Sequence, residues 1–203
     1  MGSIPLLRAY HREHLYEYDI SDRHTGCTFG GPCSSPIYGD IRNVEYLHQV
    51  AMIAGTQRPD YASKYLQNLP LLYGIRFSGC DLSYRLVSGT LPQDSREILY
   101  RGIEILELSP DEPDDDWPYP NYPIYLPYWP IEVKVSRPCH WKEFAEEIFD
   151  ARENPPSQLI FAMSPPINLG ISLWGLDGDL EGVQIIWEVD TDTNHVLVTN
   201  RST

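Results

Sequence analysis

Alternating apolar and polar positions recur along the chain and predict much of its regular structure. Successive side chains of a strand point to opposite faces of a sheet, so alternation over about four to eight residues is typical of a strand with one buried face. The pattern occurs in residues 15–20, 84–87, 103–108 and 131–135, and apolar runs predict further strands at 158–163 and 171–176. Residues 183–189 and 195–199 form a predicted hairpin across residues 190–194, with Trp187 on its core-facing side.

Other segments place their apolar residues at helical spacing. Residues 41–54 follow Asp40, which is a good N-cap, and end at Gly55. Residues 60–69 are a second predicted helix. The clearest helical pattern covers residues 140–152, where five apolar residues recur at i, i+3, i+4, i+7 and i+8 before two consecutive prolines. Residues 96–100 fit either a helix or a strand.

These elements predict an α+β fold, in which about three helices pack on a mostly antiparallel sheet. A chain of 203 residues with 42% hydrophobic residues suits a single domain over 1–203, with two lobes, 1–101 and 102–203, as the alternative. The sequence shows no apolar run of about eighteen residues and no basic region followed by an apolar core near Met1. We therefore expect a cytoplasmic protein with no membrane association.

Residues 109–130 combine acidic side chains, prolines and aromatic rings. The prolines at positions 118, 120, 123, 127 and 130 remove backbone donors at short intervals, so this stretch cannot be a central strand and is expected to be an extended surface segment. Tyr and Trp are favoured at binding hot spots. The predicted partner-binding residues are Asp111, Glu112, Asp114, Asp115, Asp116, Trp117, Tyr119 and Tyr122. In the alternative interpretation, the acidic part is a solvated loop and the rings pack on the protein's own core.

The net charge of −14 is distributed unevenly. Residues 1–101 contain ten acidic and ten basic side chains, whereas residues 102–203 contain nineteen acidic and five basic ones. Such a surface repels nucleic acid and anionic membranes, and it attracts basic partners. The charge distribution therefore indicates a basic protein partner and argues against binding to nucleic acid.

Candidate catalytic groups are few. The sequence contains no Gly-x-Gly-x-x-Gly, phosphate-binding loop or Gly-x-Ser-x-Gly. The best enzyme-like grouping is His24 with Cys27 and Cys33 in a Gly-rich loop, although their spacing matches no standard zinc module. His11 and His14 could complete a metal site with them. The acidic cluster lacks the Gly of a calcium loop. We expect no metal, no cofactor and no enzymatic activity.

Two short motifs add a family resemblance. Residues 172–176 read Ser-Leu-Trp-Gly-Leu, and residues 73–80 read Tyr-Gly-Ile-Arg-Phe-Ser-Gly-Cys. With these motifs, the acidic and aromatic-rich chain resembles the immunity proteins of bacterial polymorphic toxins and type VI secretion systems. The most similar kind pairs with nuclease toxins of the restriction-endonuclease fold. The resemblance implies a cytoplasmic, non-catalytic protein that binds its cognate toxin.

The function expected from the sequence is therefore neutralisation of a cognate basic toxin enzyme, most readily a nuclease. Inhibition would occur by occlusion of the toxin's active site or of surfaces that it needs for function. Two alternatives stay open. One is a small metal- or thiol-dependent enzyme that uses the His24, Cys27 and Cys33 loop. The other is a self-associating structural module in which the aromatic rings form a homodimer face.

Overall fold

The computed structural model describes residues 5–39, 44, 47–60, 67–74, 80–93, 96–110, 129–140, 159–163 and 183–202. Thirteen strands belong to one mixed sheet. The first seven are β1 (Leu7–His11), β2 (His14–Ile20), β3 (Cys27–Phe29), β4 (Ile37–Gly39), β5 (Leu47–Ile53), β6 (Leu69–Gly74) and β7 (Cys80–Gln93). The others are β8 (Arg96–Pro110), β9 (Ile131–Val135), β10 (Cys139–His140), β11 (Leu159–Met163), β12 (Val183–Asp190) and β13 (His195–Ser202).

The α+β prediction is wrong, because the structure is nearly all sheet. Its described residues include the short 3-10 helix Gly55–Gln57 but no α-helix. Strand β5 occupies the second half of the helix predicted at 41–54. A β-bulge between Gln49 and Ala51 interrupts its alternation, and both of these residues are buried together with Val50. Because residues on both faces of the strand are buried at the bulge, the apolar residues of this segment have a spacing similar to that of a helix.

The other predicted helices can be compared only at their ends. Residues 61–66 and 141–152 lie outside the described residues, but Leu69 begins β6 and His140 ends β10. Residues 96–100, which fit either type of structure, belong to β8. Leu69 and His140 are therefore in strands and not in helices, and Asp60 lies in a turn.

Most of the predicted strands are confirmed. The alternating segments at 15–20, 84–87, 103–108 and 131–135 lie in β2, β7, β8 and β9. Residues 159–163 form β11, and the predicted terminal hairpin is the β12–β13 pair, in register from Val183 with Ser202 to Asp190 with His195. Trp187 is fully buried, as predicted. The strand predicted at 171–176 lies outside the described residues.

The sheet curls until one end packs against its own face. Its strand order is β4-β8-β7-β13-β12-β11-β1-β2-β9-β3-β5-β6, and β10 pairs with β2. Strand β6 ends this order, yet the Trp187 indole N–H in β12 donates to the Leu72 carbonyl at 2.7 Å. The Tyr84 hydroxyl in β7 donates to the Pro70 carbonyl at 2.6 Å and accepts from the Leu72 N–H at 3.2 Å. Side chains thus satisfy backbone groups at the edge of β6, which a flat sheet would leave unpaired.

The curled sheet encloses one large apolar core, to which most strands contribute. A second, smaller cluster lies on the opposite face of β1, β2, β11 and β12 and contains Tyr10, Leu15, Ile160 and Ile186. Because neighbours in a strand face opposite sides, Ala9 belongs to the large core and Tyr10 to the small cluster. The middle of the sheet is therefore buried on both faces.

A buried ion pair connects the β12–β13 turn to the segment between β5 and β6. The Arg58 guanidinium donates to both carboxylate oxygens of Asp60, at 2.8 and 2.7 Å, and the two side chains are 1% and 3% exposed. It also donates to the Asn194 side-chain oxygen and the Gln67 carbonyl, both at 3.2 Å. Asn194 has φ +55, in the left-handed region that Asn tolerates better than most residues. No local spacing in the sequence predicts this network.

Candidate partner-binding surface

The eight predicted partner-binding residues lie in the connection between β8 and β9, outside the described residues. The structure describes the attachment of this connection at both ends. Strand β8 ends at Pro110, which pairs with Cys80 in β7. The described chain resumes at Trp129, two residues before β9. The acidic and aromatic segment is therefore tethered at both ends to the same sheet.

Trp129 is the most exposed large hydrophobic residue among those described, with 78% of its surface accessible. The next residue, Pro130, packs closely on Gly31, where an added Cβ would lie 3.1 Å from the Cβ of Pro130. Gly31 has φ +84, a conformation that favours glycine. An exposed indole thus stands beside a residue that packs tightly against the protein.

Strand β9 holds the end of this segment firmly, because it hydrogen-bonds to strands on both sides. Ile131 pairs with Phe29 in β3, and Val133 pairs with both Cys27 in β3 and Ile20 in β2. Val133, Cys27 and Phe29 are buried in the large core. The backbone that follows Trp129 is therefore held by strand pairing on both sides.

Glu132 attaches the neighbouring loop to β9. Its carboxylate accepts from the Thr25 N–H at 2.8 Å and the Thr25 hydroxyl at 2.9 Å, and its other oxygen lies 2.8 Å from Nδ1 of His24. Burial acts to raise the pKa of Glu132, but the hydrogen bonds from Thr25 and His24 together hold it below its ordinary value. The carboxylate therefore stays ionised and anchors the loop near the exposed indole.

The structure weakens the thiol-enzyme alternative at Cys27. This residue is buried in β3, and its sulfur accepts a hydrogen bond from the Ala54 N–H at 3.1 Å. Burial raises the pKa of the Cys27 thiol to about 11, so the thiol is protonated at neutral pH. A nucleophile or metal ligand needs the thiolate. Burial also raises the pKa of the Cys33 thiol.

The histidines near this loop have other contacts. The His24 side chain is 86% exposed and pairs with Glu132. Nδ1 of His11 lies 3.2 Å from the Pro59 carbonyl, and burial lowers the pKa of this histidine. Within the described ranges, no three His, Cys, Asp or Glu side chains are grouped as a metal ion would require. His24, Cys27 and Cys33 are thus not brought together as a site.

In the β12–β13 turn, the carboxylate of Asp190 stabilises the turn itself. One carboxylate oxygen of Asp190 accepts from the backbone N–H of Asp192 at 2.8 Å and of Thr193 at 3.3 Å. The hydrogen bond from the Thr193 side chain, followed by that from the Asp192 N–H, lowers the pKa of Asp190. These contacts give Asp190 a structural role and leave Asp192 exposed.

Trp129 lies in the acidic and aromatic segment but was not among the eight predicted binding residues. It is the last ring before the alternating run 131–135, so it stands where an extended segment joins the sheet. Its position where the expected surface segment meets a predicted strand is the signal that could have identified it.

In the part of the chain that the structure describes, no helix has the length and apolar character needed to cross a membrane. Comparison with protein-family models, with curated proteins and with solved structures finds no match for this chain.

Proposed function

We propose that this protein is a non-catalytic inhibitor that binds and neutralises a basic toxin enzyme through a surface that includes residues 111–129. A nuclease is the favoured class of toxin, because a nuclease needs a basic surface to hold nucleic-acid phosphates. The inhibitor would act in the cytoplasm of the cell that makes the toxin, as bacterial immunity proteins do.

The exposure of Trp129 is the observation that carries this proposal. A tryptophan with 78% of its surface accessible leaves a large apolar area in water. Tryptophan is enriched among residues that dominate binding energy, particularly where an apolar ring lies near polar groups. Because Pro130 and β9 hold the adjacent backbone, the indole would lose little conformational freedom on binding.

The charge distribution supports a basic partner. Residues 111–116 include five carboxylates, and the nearest basic side chains along the chain are Arg101 and Lys134. A one-signed surface of this kind speeds diffusional encounter with a partner of opposite charge. In this mechanism the carboxylates pair with the basic groups that the toxin uses to bind phosphate. The Trp129 ring supplies the apolar contact that stabilises the complex.

The first experiment is capture of the partner. Tagged wild-type protein is incubated with lysate of the source cell, and bound proteins are identified by mass spectrometry. We expect a single basic enzyme whose activity is abolished by a stoichiometric amount of the inhibitor. Capture of no basic protein, or of one that stays fully active in the complex, would contradict the proposal.

Trp129→Ala then tests the binding surface by calorimetry with the captured toxin. We expect a loss of about 2 kcal/mol or more, which is roughly thirtyfold in Kd. Leu197→Ala is the matched control, because Leu197 is also an exposed apolar residue but lies on β13. Equal effects of the two substitutions on Kd would show that Trp129 is not part of the binding surface.

The acidic cluster is tested by a charge-matched pair of triple variants. One changes Asp114, Asp115 and Asp116 to Asn, and the other changes the exposed residues Asp22, Glu107 and Asp192 to their amides. Both variants lose the same net charge. If steering alone matters, the association rates fall equally, whereas direct contact predicts faster dissociation for the first variant only.

A further inference from the structure

A cavity of about 170 Å³ lies beside β8, separate from Trp129 and β9. Its apolar lining residues are Met52, Pro70, Leu86 and Ile103. Met52 is partly exposed and Leu86 is 8% exposed, whereas Pro70 and Ile103 are buried behind them. A cavity of about 150 Å³ accommodates a benzene ring. The space therefore suits a compact apolar body of that size.

The polar lining offers several hydrogen-bond donors and carries no carboxylate among its described residues. It contains Ser34, Ser35, Gln67, Asn68 and Arg101. The ion pairs found among the described residues involve Arg8, His24, Arg58 and Arg85, and none of them includes Arg101. The Asn68 side-chain oxygen accepts from the Gly55 N–H at 3.1 Å, which leaves its amide N–H groups as donors. A guanidinium with neighbouring donors is the chemistry that selects an anion.

The walls of the cavity are held by contacts of their own. The Ile103 N–H donates to the Pro36 carbonyl at 2.9 Å, which fixes the end of the Ser34–Ser35 segment against β8. Gly102 lies under Tyr38 and Pro36 so closely that a Cβ there would collide with both. The segment that follows the serines is thus packed closely on the strand that carries Arg101, with the Tyr38 ring over Gly102.

We propose that this cavity binds a small organic carboxylate with a compact apolar body. Arg101 pairs with the carboxylate, the Ser34, Ser35 and Asn68 groups supply further donors, and the body lies against Met52 and Leu86. The site is independent of toxin binding, so the two proposals stand or fall separately.

In the test, benzoate is titrated into the intact protein, and binding is monitored by the NMR chemical shifts of the Leu86, Gly102 and Ile103 amides. We expect saturable shifts at these amides. Benzyl alcohol, which keeps the ring without the charge, and inorganic phosphate, which keeps the charge without the ring, should each bind at least about tenfold more weakly. Absence of saturable shifts with benzoate, or phosphate binding as tight as benzoate binding, would overturn the assignment.

Arg101→Gln should weaken benzoate binding at least about tenfold, because it removes the charged partner. Arg85→Gln is the control, since it makes the same charge change on the same hairpin outside the cavity lining. Ser34→Trp, at an exposed residue of the lining, should block binding while the fold is retained. The proposal fails if benzoate binds the Arg101→Gln and Arg85→Gln variants equally, or if Ser34→Trp leaves its affinity unchanged.

Discussion

Arg58 makes its strongest contacts in a site that water does not reach. It meets Asp60 with two parallel hydrogen bonds, and its remaining contacts reach Asn194 and Gln67. A bidentate pair of this kind balances the cost of burying two charges only while both partners are present. Loss of either partner would therefore leave the other charge buried and unpaired, which lowers the free energy of unfolding.

Arg58→Met should destabilise the protein by about 3–5 kcal/mol, because it leaves the Asp60 carboxylate buried without its cation. Arg85→Met is the control, since Arg85 pairs with Glu104 at the surface and should cost less than about 1 kcal/mol. Urea denaturation of both variants measures the difference. Adding Asp60→Asn to Arg58→Met should recover part of the loss, and equal effects of the two arginine substitutions would refute the argument.

Because the Cys27 thiol is buried, part of the free energy of unfolding is lost at alkaline pH. The pKa in the folded state is about 11, compared with an ordinary value of 9.0, so the folded protein holds the proton more tightly than the unfolded chain does. The associated stabilisation is complete below about pH 9 and is lost as the pH rises through about 11. The free energy of unfolding of wild type should therefore fall relative to Cys27→Ala between these pH values. A constant difference between the two would contradict the buried position.

At the element scale, the edge of β6 is the feature that closes the sheet. A strand at the end of a sheet exposes backbone donors and acceptors that can pair with other chains. Here the side chains of Tyr84 and Trp187 bind the Pro70 and Leu72 backbone groups instead. The same hydrogen bonds join β6 to β7 and β12. They therefore close the sheet and also keep this edge from pairing with other chains.

Tyr84→Phe tests this closure. The substitution keeps the ring but leaves the Pro70 carbonyl and the Leu72 N–H without the hydroxyl, which should cost about 1–3 kcal/mol. Hydrogen exchange should show faster exchange at the Leu72 amide. Tyr16→Phe is the control, because Tyr16 is only partly buried and its hydroxyl has no bond to β6. Unchanged exchange at Leu72 would show that the hydroxyl does not hold the edge.

At the scale of the whole molecule, the charge predicts a measurable dependence on salt. The net charge of −14 arises entirely from residues 102–203. Because exposed charges are screened by salt, the association rate with a basic toxin should fall about tenfold or more from low salt to several hundred millimolar. Stopped-flow kinetics at several salt concentrations measure this rate. An association rate that is indifferent to salt would remove charge steering from the proposed mechanism.

Local pattern was sufficient wherever one face of a strand is buried and the other is not. The strands β9 and β13 follow alternation closely, and Trp187 was correctly placed in the core. The pattern misled at β5, where Gln49, Val50 and Ala51 are buried in succession around a bulge. Burial on both faces removes the alternation that distinguishes a strand from a helix.

The uneven charge and most of the described strands follow from the sequence alone, because they depend on residue type and near neighbours. The curling of the sheet, the contact of Arg58 with Asn194 and the cavity that Arg101 lines are set by the tertiary structure. Each of these joins residues far apart in the chain. Their contacts depend on strand order and register, which no local spacing encodes.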